Sequence, residues 1–287
     1  MRVVLPTLAL SLCAFAQTAR PTFSLEQHVQ LGGSMTPAAA GQIEAQLEKN
    51  PHDILARAKL LGYYYYQWMQ VGERDAKAAR QRHIIWTIQH QSDSPLAGLY
   101  EATIDPRGHS LADAEGYDKA RQLWLERMES KPPSAPALGN AAKFFQLFDK
   151  ELAEKALQRA LEIDPRNGEW HWRLGYLYAI GILGIDGLAF NGQPTSVDPV
   201  ARDGPFAAKA RRELETSSDP VMIAVAGNVL SQYGTMLAPS EKARVGHLVE
   251  AEKLFRRAQV LDPNNPTWKQ MLQRAQALKA QMTAPGQ

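Results

Sequence analysis

The chain is nearly free of cysteine. Cys13 is the only one, and it sits in the first apolar stretch. The remainder of the protein therefore has no disulfide framework, thiolate nucleophile or cysteine zinc site, and its stability must come from packing alone. An excess of either charge is also missing: 32 Lys and Arg stand against 30 Asp and Glu, and the basic residues are dispersed. Nucleic acid or anionic lipid as the main partner calls for a concentrated positive stripe, so neither is expected. No segment alternates with the two-residue period of an exposed strand, so no sheet is placed.

Complete site signatures are absent as well. There is no phosphate loop, dinucleotide glycine fingerprint, HExxH or calcium-loop spacing. Gly108-His109-Ser110-Leu111-Ala112 comes nearest to a hydrolase elbow. That elbow needs a preceding strand and a closing glycine, whereas here Pro106 precedes it and Ala112 ends it. Ser110 with Asp113 reads instead as a helix cap. Of seven histidines only His83 and His90 share a helical face, and an isolated pair of this kind is more often structural than metal-binding. No catalytic residue, cofactor or metal is assigned, and the expectation is a protein that is not an enzyme.

At the start stands MRVVLPTLALSLCAFAQ. One positive charge, an apolar run from Val3 to Phe15, and the small-x-small triplet Ala14-Phe15-Ala16 read as a cleavable signal peptide over residues 1–16, cut after Ala16. The run is shorter than the roughly 18–20 apolar residues a membrane span needs, and Pro6 interrupts it. Acylation at Cys13 is disfavoured by the large Leu12. The mature protein is expected in the periplasm or secreted, without stable membrane insertion.

The 287 residues, 45% of them hydrophobic, can bury a substantial core. Their organisation shows in an internal repeat. AEKALQRALEIDPRN (153–167) matches AEKLFRRAQVLDPNN (251–265) at a constant offset, with Ala153/Ala251, Glu154/Glu252, Arg159/Arg257, Ala160/Ala258, Asp164/Asp262 and Pro165/Pro263 among the identities. Ahead of such segments runs Leu-Gly-x-x-Tyr, as Leu174-Gly175 with Tyr178 and Leu61-Gly62 with Tyr65. The small residues would let helices approach closely, Leu157, Leu174 and Tyr178 would fill the space around them, and the prolines would stop each second helix. Helix starts are expected at Asn50-Pro51, Ser94-Pro95, Asp219-Pro220 and Asn265-Pro266, where a capping residue precedes proline.

This pattern resembles the tetratricopeptide repeat family, whose repeat of about 34 residues is a helix pair with an Ala-rich second helix. The resemblance implies an all-α fold, a right-handed superhelix of antiparallel helix pairs, over residues 36–287. An N-terminal extension at 17–35, with an extra helix within 23–33, would precede it. About five pairs and a terminal helix over 266–281 are expected.

A Gly- and Pro-rich loop at 181–205 is inserted between the helices of one repeat, and loops of such length are usually functional or disordered. Shorter expansions at 105–110 and 237–246 would emerge on the same edge. In this family a face beside the packing face lines a concave groove. Placing Gly175 and Tyr178 inward puts Trp172, Arg173 and Tyr176 on that face, and the same offset puts Lys59, Tyr63 and Tyr66 there. Trp, Tyr and Arg commonly carry binding energy, so these six are the groove candidates, with packing as the competing role. A Lys/Asn carboxylate clamp is not found. The expected function is a scaffold holding a peptide or partner protein. The alternative is a small-ligand or glycan binder, or an enzyme, with 181–205 as a lid.

Overall fold

The computed structural model describes residues 24–132, 134–188 and 193–283. The expected signal peptide with its cut after Ala16, Cys13, residues 17–23 of the N-terminal extension and Phe190 lie outside them. The protein is mostly helical. In chain order the helices are α1 (Leu25–Gly33), α2 (Pro37–Lys49), α3 (Ile54–Tyr66), α4 (Trp68–Val71), α5 (Glu73–Gln91), α6 (Ala114–Met128), α7 (Ala135–Phe145), α8 (Lys150–Ile163) and α9 (Gly168–Leu183). After a hairpin of β1 (Ile185–Leu188) and β2 (Pro194–Val197) come α10 (Pro199–Arg202), α11 (Pro205–Thr216), α12 (Pro220–Val229), α13 (Thr235–Leu237), α14 (Glu241–Leu261) and α15 (Pro266–Thr283).

Local chemistry sets most boundaries. Thr36, Asp198 and Asp219 each accept a backbone N–H from the first turn of the helix they precede, and proline occupies the first helical position after each. Their side chains satisfy amides that have no intrahelical partner. Pro165 and Pro263 follow the ends of α8 and α14, which close at Asp164 and Asp262.

The two matched segments play equivalent parts. Ala153, Ala160, Ala251 and Ala258 are all fully buried. Arg159 of α8 donates to the Met128 carbonyl at the end of α6. Its counterpart Arg257 of α14 donates to the Leu214 carbonyl (2.5 Å) and to Ser217 O at the end of α11. In each case a cation meets the negative C-terminal end of an earlier helix. Glu154 and Glu252 are both buried, paired respectively with Lys209 of α11 (2.6 Å) and with Lys279 of α15.

Helices meet where side chains are missing. A Cβ on Gly62 would lie 1.9 Å from the Val29 carbonyl oxygen, and one on Gly32 would lie 1.9 Å from that of Lys59. These paired approaches run in opposite senses along α1 and α3, so the two helices cross antiparallel with backbones nearly touching. A Cβ on Gly175 of α9 would stand 2.3 Å from Met222 O of α12. Around these crossings runs one continuous core containing Trp124, Phe145, Tyr178 and Phe255, and a smaller one joins α2 to α3.

Several expectations need correction. A sheet exists: β1 and β2 pair antiparallel, with Ile185 opposite Val197. These strands are four residues each and irregular in register, too short for an alternating pattern to register. Asn50-Pro51 ends α2 and begins a turn; α3 is capped by Asp53, which accepts from Leu55 N and Ala56 N. Ser94-Pro95 opens 3-10 turns (Pro95–Gly98, Tyr100–Ala102) in place of the expected α-helix start. Asp113, rather than Ser110, caps α6. The expansion placed at 237–246 is shorter, because α14 already begins at Glu241. The helix expected within 23–33 is present as α1.

Candidate functional site

Residues three and four apart on a helix share a face, and α9 presents Glu169, Trp172, Arg173 and Tyr176 to one cavity of about 380 Å³. From α7 and its end come Ala142, Lys143 and Gln146; Leu157, Leu177, Tyr100, Leu188 and Tyr233 complete the wall. Tyr233 arrives by way of a π-helical turn, Leu230–Gly234, that joins α12 to α13. Such widened turns recur where a helix presents a side chain for use.

Trp172 and Tyr176 stack with ring centroids 5.4 Å apart and planes 9° from parallel. Trp172 is 49% exposed, which leaves a large flat apolar surface open to the cleft. Arg173 is held rigidly: it donates to Gly139 O (2.8 Å) and Glu169 Oε1 (2.6 Å), and its guanidinium lies 5.3 Å from the Trp170 ring centre. Burial, reinforced by Tyr233, pushes the Tyr176 phenol above its ordinary range, so it stays a neutral hydroxyl. Burial pulls Lys143 below its usual value, and nearby Arg173 pulls the same way against Glu101, Glu26 and Glu169.

The hairpin reaches this cavity through Leu188. The Tyr100 hydroxyl donates to Leu188 O at 3.0 Å, fixing β1 to the 3-10 turn. Across that bridge lies a second cavity of about 420 Å³ that shares Tyr100 and Leu188 and is lined by Asp105, Arg107, His109, Asp186 and Ser196 among others. Its polar groups largely satisfy one another. His109 Nε2 is 2.9 Å from Asp105, Ser196 donates to Asp186 at 2.7 Å, and Arg107 lies 3.9 Å from Asp186. The insertions at 105–110 and 181–205 thus share one edge.

Half of the six groove candidates come together. Trp172, Arg173 and Tyr176 line the first cavity. Tyr63 does not belong in a groove: it is 1% exposed, packed with Ala40, Leu47 and Leu60, because α2 covers that face of α3. Tyr66 is half-buried, and its hydroxyl donates to Glu101 Oε1 at 2.6 Å. Lys59 is also half-buried, with its backbone pressed against Gly32. None of these three lines the cavity of Trp172. No family model, curated protein or solved structure matches this chain.

Sequence reasoning missed Lys143, Tyr100, Gln146 and Tyr233. Lys143 and Gln146 stand three residues apart at the end of α7, and that i, i+3 spacing was the available signal. The π-turn that positions Tyr233 leaves no mark in residue spacing. His83 lies apart from the cleft; Arg57 donates to its Nδ1 (2.9 Å), and its Nε2 faces Glu44 (3.1 Å). Among the described residues no group of three His, Cys, Asp or Glu converges as a metal set, and no helix is long and apolar enough to cross a membrane.

Proposed function

We propose that this chain is an exported, non-catalytic interaction scaffold of the tetratricopeptide kind, working in the periplasm or outside the cell. Its helix pairs would stack as a right-handed superhelix, and a peptide segment of a partner protein would lie in the cleft between α7 and α9. One observation carries this reading: Trp172, half exposed, lies flat against Tyr176 on the wall of an apolar cavity. An exposed tryptophan is costly in water, and Trp, Tyr and Arg dominate binding energy at interfaces. The equivalence of Arg159 with Arg257 and of Glu154 with Glu252 supports the repeat assignment.

Cross-linking in the native compartment, followed by identification of the attached protein, supplies the partner. Replacing Trp172 and Tyr176 by Ala should then weaken capture by ten-fold or more, since truncated hot spots cost roughly 2 kcal/mol or above. Unchanged capture would remove the cleft from the account. A second reading, a small-ligand or glycan binder or an enzyme closed by 181–205, draws on Leu188 lining the same cavity and on its tether to Tyr100. Shortening the hairpin between Ile185 and Val197 separates the two. Loss of small-ligand binding with protein capture intact favours the second reading, and the reverse favours the first.

A further inference from the structure

Lys143 lies in the cleft wall on α7, half-buried. Its amine makes no hydrogen bond or ion pair among the described residues. Every acid near enough to influence it is occupied elsewhere. Glu169 is paired with Arg173 at 2.6 Å. Glu101 accepts the Tyr66 hydroxyl at 2.6 Å. Glu26 is hydrogen-bonded with Ser24. The other cation of the cleft, Arg173, already spends its donors on Gly139 O and Glu169. An ammonium that faces the open cleft with no protein partner offers its charge to an incoming acid, and this one borders the cavity that holds the stacked Trp172–Tyr176 pair. The site thus combines a flat apolar platform with a single unmet positive charge.

The geometry points to an acidic segment as occupant: an aromatic or large apolar side chain stacks on Trp172 while an adjacent Asp or Glu carboxylate pairs with Lys143. This rests on the cleft being the peptide site proposed above. Charge complementarity selects the partner's chemistry. A neutral segment leaves the ammonium unpaired, a basic one repels it, and a carboxylate forms a charge-assisted hydrogen bond.

Two short peptides, acetylated at one end and amidated at the other so that neither carries a terminal charge, provide the probe. One contains Trp-Glu and the other Trp-Gln, and each is titrated against the full chain by calorimetry. The Trp-Glu peptide should bind about ten-fold or more tightly than Trp-Gln, the scale of a hydrogen bond to a charged group. Lys143→Gln should bring the ratio to about one, and Lys143→Arg should retain most of the preference. Trp172→Ala should weaken both peptides. Equal affinity for the two peptides in the parent, with both still weakened by Trp172→Ala, would overturn the acidic preference and leave the peptide cleft standing. Failure of both peptides to bind overturns the proposal, as does binding of free indole-3-acetate alone in a Lys143-dependent manner. The last result assigns the cleft to small aromatic acids.

Discussion

Gly175→Ala gives the sharpest test of how these helices are held together. The added Cβ would sit 2.3 Å from Met222 O and 3.0 Å from the carbon of the same carbonyl. The obstacle is backbone, which cannot swing aside as a side-chain tip can. To reach ordinary contact α9 and α12 must separate by about 1 Å, and a gap of that size forfeits roughly a quarter to a half of each facing dispersion contact. Overpacking of this sort costs about 1–3 kcal/mol, set against a gain of about 1 kcal/mol from replacing a helical glycine by alanine. We expect a net loss of about 1 kcal/mol, and a larger one for Gly62→Ala, whose Cβ would lie 1.9 Å from Val29 O. Gly41 in α2 and Gly246 in α14 are the controls, because a Cβ at either meets nothing within 4 Å. There the same substitution should stabilise by about 0.5–1 kcal/mol. Denaturant unfolding followed by far-ultraviolet circular dichroism reads all four, and the sign should invert between the two pairs. A Gly175→Ala protein as stable as the parent, in an assay where Gly41→Ala gains, would refute the close-crossing argument.

Other outcomes follow from charge and burial. His171 lies 2.5 Å from Asp219 through Nδ1 and 2.9 Å from Pro165 O through Nε2. Both partners are acceptors, so both ring nitrogens must donate; burial opposes the charge, but these bonds raise the pKa. Its contribution is complete below the unfolded value of about 6.5 and is lost as pH rises through the folded value. His171→Gln should therefore lose more stability, relative to the parent, at pH 5.5 than at pH 8.5. His83 behaves oppositely. Burial lowers its pKa, and Arg57 donates into its Nδ1, so the neutral ring is favoured. Its contribution stands above about pH 6.5 and fades as pH falls through the lowered folded value; His83→Gln should cost less at pH 5 than at pH 8 in the same titration. Glu154, 2% exposed, accepts the Tyr178 hydroxyl at 2.8 Å and pairs with Lys209. Glu154→Ala should lower unfolding free energy by about 3 kcal/mol, because Lys209 and a buried phenol lose their partner; a change below about 0.5 kcal/mol would mean that the pair is not structural.

What the chain reveals on its own is local. Caps such as Asp219 and Asn265, the prolines at 165 and 263, and the Ala-rich segments at 153–160 and 251–258 act within a turn or two of where they stand, and so did the expectations drawn from them. Trp172, Arg173 and Tyr176 were legible as a set because helical periodicity alone puts them on one face. The same logic failed for Tyr63, since periodicity defines a face but not what covers it, and α2 covers this one. Lys143 and Tyr100 are far from α9 in sequence and reach its cleft only through the packing of α7 and the 3-10 turns. The β1–β2 hairpin and the π-turn carrying Tyr233 likewise depend on what they pack against. Side-chain spacing reports the angle around one helix axis; which axes become neighbours, and at what distance, is decided by close-packed contacts such as Gly175 against Met222, and those exist only in the assembled fold.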